Sequence, residues 1–156
     1  MYVNGSEDVN LYNVTVATNM AGAAAAFYGS ITAGHSIFAD NLEDGSTPSD
    51  CWRVSTNGLT SEDYLLVQTK GSCIIFGTNT NSIFDTPANL YPLANNGGLT
   101  DTHALMDTSP AIDGGASACL DSNGVAITTD QCGSVRPADF PGLGTPHCDI
   151  GHMNSP

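Results

Sequence analysis

The sequence predicts a parallel β-helix of few coils with an irregular, disulfide-tied C-terminal cap. Three observations carry this: a composition poor in helix formers, a strand motif that returns after 22 residues, and a second half crowded with turns. Charged residues make up 12% of the chain, against about 25% in an ordinary soluble domain. Exposed helix faces draw on Glu, Lys, Arg and Leu, and here Gly, Asn, Ser and Thr take their place. Short strands joined by polar turns fit such a composition. The 156 residues suit one domain, large enough to bury roughly two thirds of the surface its unfolded chain exposes.

The repeat is visible when Asn13-Val14-Thr15-Val16-Ala17-Thr18-Asn19 is laid over His35-Ser36-Ile37-Phe38-Ala39-Asp40-Asn41, an offset of 22 residues. Each copy reads as one short strand closing on a small residue, a polar residue and Asn. A period of this length holds three strands of roughly 3 to 5 residues with turns between them, which is one coil of a parallel β-helix. Inward Val, Ile and Phe are expected to stack from coil to coil. The terminal Asn residues are expected to sit in left-handed turns and bond to one another as a ladder. Ile74-Ile75-Phe76-Gly77-Thr78-Asn79 reads as a third copy, 38 residues after the Phe38 copy. The excess over one period then falls in an insertion at about 42–72, whose Asp44-Gly45-Ser46-Thr47-Pro48-Ser49-Asp50 is turn-forming. The coils therefore occupy 1–85. From Thr86 onward Asn95-Asn96-Gly97-Gly98, Asp113-Gly114-Gly115, Asn123-Gly124 and the prolines 137 to 146 leave no room for a regular coil. Residues 86–156 are expected to cover an open end of the coils within the same domain.

Charge and cysteines bound the function. Lys70, Arg53 and Arg136 are the only Lys or Arg residues, and the formal net charge is −13. Neutralising a nucleic-acid backbone takes several cations, so no nucleic-acid partner is expected. An anionic surface would be repelled unless Ca²⁺ bridged it. No apolar run approaches the length of a membrane span, and Met1 to Met20 carry no signal-peptide pattern. Cys51, Cys73, Cys119, Cys132 and Cys148 form no Cys-x-x-Cys pair, so a disulfide framework in an extracellular or cell-surface protein is the better reading. Cys51 and Cys73 bracket the proposed insertion and are expected to be bonded.

The ordered blocks Tyr91-Pro92-Leu93-Ala94-Asn95-Asn96-Gly97-Gly98, Thr100 with His103-Ala104-Leu105, Thr108-Ser109-Pro110-Ala111-Ile112-Asp113-Gly114-Gly115, Thr129-Asp130-Gln131-Cys132-Gly133, Arg136-Pro137 and Cys148-Asp149-Ile150-Gly151 resemble the C-terminal signature of the bacterial choice-of-anchor Q family. The resemblance implies a right-handed parallel β-helix, distantly similar to polymorphic outer-membrane proteins, that is exported and held by a C-terminal anchor. It also implies a second bridge, Cys119 to Cys148, leaving Cys132 as the odd thiol; Cys119 to Cys132 is the competing pairing. The chain departs from the family at Cys132, where Arg is usual, and at His152-Met153-Asn154 in place of an aromatic-acid ending. Without that Arg, Arg136 is the cation left to neutralise Asp130 or Asp149. The resemblance implies no general activity, and fold alone supplies none.

Candidate residues have plain structural roles. Asp113, Asp130 and Asp149 lie in or beside Gly-containing turns and are expected to cap backbone N–H groups. Asp121-Ser122-Asn123-Gly124 reads as a hairpin turn; a Ca²⁺ site would need more converging oxygens. His35, His103, His147 and His152 form no metal-spaced pair, and His35 is expected in a solvent-facing or turn position. No catalytic residue, metal or cofactor is assigned. The leading expectation is a non-catalytic structural or interaction segment whose N-terminal end, the first coil with Leu11, Val14 and Val16, is covered by upstream coils or by end-to-end pairing with another copy or a separate chain. The rival is a carbohydrate-active β-helix, hydrolase or lyase, or a glycan-binding module. It would use a carboxylate pair from Asp40, Asp44, Asp50, Glu62 and Asp63, or Lys70 or Arg53 as base. A sugar platform of Trp52, Tyr64 and Tyr91 is its binding counterpart, although Trp52 beside Cys51 is expected to pack. Asn4-Gly5-Ser6 and Asn13-Val14-Thr15 match glycosylation sequons, a pattern frequent by chance.

Overall fold

A computed structural model of the chain describes residues 9–21, 31–51, 58–138 and 145–151. Strands β1 (Val9–Tyr12), β2 (Thr15–Ala17) and β3 (Met20–Ala21) form coil 1; β4 (Ile31–Gly34), β5 (Ile37–Ala39) and β6 (Leu42–Glu43) form coil 2. After β7 (Thr47–Pro48), β8 (Leu59–Glu62) and β9 (Leu66–Val67) form coil 3, and β10 (Ile75–Thr78) with β11 (Ile83–Phe84) forms coil 4. Sheet 1 runs β1-β4-β8-β10 and sheet 2 runs β2-β5-β9-β11, with every pair parallel. Parallel pairing between successive coils is what a β-helix requires. A third sheet, β3-β6-β7, stops early because β7 turns back antiparallel to β6 around Asp44-Gly45-Ser46.

The first period is 22 residues on all three sheets, pairing Val9 with Ile31, Thr15 with Ile37 and Met20 with Leu42. The third copy lies elsewhere than the sequence reading put it. Ile31 pairs with Leu59, and Leu59 with Ile75. Phe38 pairs with Val67, whose partner is Phe84. Phe76 therefore belongs to sheet 1 and is no equivalent of Phe38, and the segment 42–72 contains a whole coil. The sequence hides that coil because a long connection before Leu59 and a short one after Val67 offset each other. Its strand also closes on Gln68-Thr69 instead of a polar residue and Asn.

Side chains alternate as strands demand. Ile31, Ala33, Phe38, Leu59, Leu65 and Val67 point into the coils with the Cys51–Cys73 disulfide, joined by Val9, Leu11, Val16, Ile75 and Phe84. Ile37, Ala39 and Leu66 point out of sheet 2 and would be exposed on a bare helix. They are fully buried because Ala88, Leu90, Leu105, Ala111 and Ile150 cover them. Each buried Ile or Leu contributes about 1.5–3 kcal/mol.

The C-terminal segment thus lies along a flank of the helix. It reaches coil 1 through Asn13 Nδ2 to the Leu120 carbonyl (2.9 Å) and coil 2 through Gly151 N to the His35 carbonyl (2.8 Å). It reaches coil 3 through Ala88 N to Gln68 Oε1 (2.9 Å). The expectation that it would cover an open end is corrected by these contacts: an apolar outer face on sheet 2 gave it more to bury. At the coil 4 edge, Ile74 and Phe76 remain about half exposed, at 49% and 51%.

Candidate functional site

Two turn stacks carry the polar side chains. The stack between sheets 2 and 3 is a ladder: Asn41 Oδ1 accepts from Asn19 Nδ2 (2.8 Å) and Asn19 N (3.1 Å), and Asn41 Nδ2 donates to the Val16 carbonyl (3.0 Å). The next rung is Asp50, where an Asn had been expected at position 79. Its Oδ1 accepts from Asn41 N (2.9 Å) and Nδ2 (2.7 Å), and its Oδ2 from Thr69 N (2.8 Å). Burial pushes the Asp50 carboxyl above its ordinary range, against the lowering effect of these bonds. The left-handed residues are Thr18 and Asp40, each one position before the ladder Asn. Among the described residues Asn79 Nδ2 bonds within its own coil, to the carbonyls of Ile75 and Gly77 at 3.5 Å each.

The carboxylates of the possible glycosidase pair are spread over separate turns and the end of β8. Asp40 accepts from Gln68 Nε2 (2.7 Å), Glu62 accepts from the Tyr12 hydroxyl, and Asp44 sits at the left-handed tip of the β6–β7 hairpin. Asp63 is buried; burial raises its carboxyl, but hydrogen bonds from Asn81, Tyr64 and Ser82 hold it below the ordinary range. A cleft of about 350 Å³ beside the Cys51–Cys73 bridge is lined by Glu43, Lys70, Pro48, Ser49 and Ser72. Arg53 and Trp52 lie outside the described residues, as do Asn4 and His152.

The stack between sheets 1 and 2 joins Asn13, His35 and Tyr64, all left-handed, with φ of 52°, 51° and 54°. The His35 ring stacks on Tyr64 with centroids 4.8 Å apart, so Tyr64 is no open sugar platform. Asn13 is buried and donates to Leu120, which also removes it as a glycan acceptor. His35 is half-buried in its turn instead of facing solvent. Against this corner lies Arg136, 4% exposed, with Nη2 donating to the Asp149 carbonyl (2.8 Å). Burial lowers the pKa of Arg136, while Asp149 and Asp130 raise it. Its role as the cation beside Asp130 and Asp149 is the one the resemblance implied; its burial was not legible in the sequence.

Asp113 and Asp149 cross-link the C-terminal segment. Asp149 Oδ1 accepts from Asp113 N (2.8 Å) and Asp113 Oδ1 from His147 N (3.1 Å), beside the Cys119–Cys148 disulfide. Cys132 lies outside both bridges, with its sulfur 3.9 Å from Thr102 Oγ1. Asp121 and Asp130 build the same turn twice. Each Oδ1 accepts from the backbone N–H two residues on (2.8 and 2.9 Å) and four residues on (2.8 Å in both), with a left-handed Gly124 or Gly133 closing the turn. A carboxylate oxygen already holding two N–H groups is poorly placed to ligate Ca²⁺. Among the described residues no three His, Cys, Asp or Glu side chains gather as a metal site. His103 bridges the flank to coil 1, with Nδ1 2.8 Å from the Tyr91 carbonyl and Nε2 3.3 Å from Thr18 Oγ1. It also lines a second cleft of about 330 Å³ with Leu93, Asp101 and Gln131.

These features define a disulfide-tied parallel β-helix with a covered flank, and the two bridges indicate an oxidising environment. Among the described residues no helix is long and apolar enough to cross a membrane. No family model, curated protein or solved structure matches the chain.

Proposed function

We propose that this chain is a non-catalytic structural or interaction segment, the closing coils of an exported or cell-surface β-helix protein of the choice-of-anchor Q type. One observation carries the reading: Asp50, Asp63, Asp113, Asp121, Asp130 and Asp149 all hold backbone N–H groups in turns. The conserved chemistry of a sugar-cleaving site, two carboxylates facing across a groove, has no counterpart in that use. Both sheets meanwhile end on strand edges, at β1 and β2 on the N-terminal side, where association is expected, and at β10 and β11 on the other. Such edges accept a further coil through parallel pairing, which supports end-to-end association with another copy or another chain. A reducing-sugar release assay run beside a glycan array tests the reading. No release is expected from any polysaccharide; release that disappears in Glu62→Gln would overturn it in favour of a carbohydrate-active enzyme.

A further inference from the structure

The corner where the C-terminal segment meets coils 1 to 3 concentrates polar atoms that lack partners. Both ring nitrogens of His35, Oδ1 of Asn13 and Nε of Arg136 are buried without a hydrogen bond. Buried polar groups are seldom left so, and they meet here at a seam between two parts of the molecule. His35 is itself bonded across that seam, since its carbonyl accepts from Gly151 N. We propose that this corner is an acid-operated latch: the uncharged His35 ring lets the C-terminal segment seat on sheet 2, and protonation of that ring releases it.

The charged and titratable groups around the ring are few. From the C-terminal segment comes the buried Arg136 guanidinium, itself offset by Asp149 and Asp130; from coil 3 come the Tyr64 ring and Asp63, whose carboxylate already accepts from Asn81 and Ser82. From coil 1 comes uncharged Asn13, whose side-chain oxygen makes no hydrogen bond to either ring nitrogen. An imidazolium would therefore place charge and two N–H donors in a buried site beside a guanidinium. Burial first, and Arg136 second, hold His35 below its ordinary value against the raising effect of Asp63. With the segment open, His35 titrates near the ordinary value of about 6.5. The open form then binds the proton more readily, so closure is complete above that value and weakens as pH falls through the lower, closed-state value. Release would bare Ile37, Ala39 and Leu66, an apolar face hidden at neutral pH.

Hydrogen exchange at the Gly151 amide from pH 7.5 to 5, corrected for intrinsic rates, reads the latch directly. In the intact chain the opening constant should rise below pH 6.5 by up to about tenfold per pH unit, the limit for one proton. In His35→Gln it should stay flat. The same rise in both proteins would overturn the proposal. Should His35→Gln fail to fold, an NMR titration of the His35 ring in the unaltered protein decides: an ordinary or raised value overturns the latch, and a lowered one supports it.

Discussion

Coils 1 to 4 satisfy their polar groups by repetition, whereas residues 86–151 satisfy theirs one turn at a time. In the coils each strand finds its N–H and C=O partners on the next coil, and Asn19, Asn41 and Asp50 do the same with side chains. Among its described residues the flanking segment has only isolated bridges, such as Leu90 with Leu105 and Thr129 with Val135. It relies on Asp-Gly turns and the Cys119–Cys148 bond. Loss of one contact should therefore spread in the coils and stay local in the flank.

The largest expected effect tests the repeating half. Asp50→Ala leaves Asn41 N, Asn41 Nδ2 and Thr69 N without their acceptor, a loss of at least about 3 kcal/mol at roughly 1–3 per buried orphan. Urea unfolding measures it, and a loss below about 1 kcal/mol would mean the ladder does not support the turn stack. Next comes the flank's covalent tie. Its sequence separation is 29 residues, so replacing Cys119 and Cys148 by Ser should cost about 3.6 kcal/mol in the chain-entropy account. Thermal unfolding gives the size. Hydrogen exchange should show faster opening at Gly115 and Ile150 with coil 2 unchanged.

A pair of glycines sharpens the comparison. Gly77 in β10 and Gly124 in the flank both have positive φ, 82° and 76°. A Cβ at Gly124 meets nothing, while one at Gly77 collides with the Ser61 carbonyl on the next strand. Gly124→Ala should cost only the left-handed term of about 1–2 kcal/mol, and Gly77→Ala clearly more; equal values would show that coil 4 yields as easily as a surface turn. The smallest effect is Asp121. Backbone hydrogen bonds from Val125 and Asn123 hold its carboxyl below the ordinary range. The stability it contributes is present above the ordinary carboxylate value and is lost as pH falls through the lower folded value. Asp121→Asn should flatten the acid limb of the melting curve slightly, and no change there would deny the turn its carboxylate.

Much of this was legible in the sequence, and local rules explain why. Val16 and Phe38 announce a coil by spacing alone, Asn19 and Asn41 announce a ladder, and Asp121 and Asp130 announce turns because an Asx turn needs only its next few residues. Cys51 and Cys73 paired as expected, although the residues between them include coil 3 and are not a mere insertion. Three things needed the third dimension. Leu59 and Leu66 form a coil of irregular length, and their equivalence to Ile31 and Ile37 exists only as hydrogen-bonded register. Asp50 becomes a rung because the hairpin folds back over Asn41. The flank position of residues 86–151 depends on Ile37, Ala39 and Leu66 aligning as one apolar face, and their neighbours along the chain give no sign of that sum. The sequence by itself determined the coil, its turn chemistry and its disulfide-forming composition, since these depend on contacts within a few residues or one period. Which coil stacks on which, and what the tail covers, was decided by tertiary structure, because long-range burial belongs to surfaces that exist only after the coils have formed.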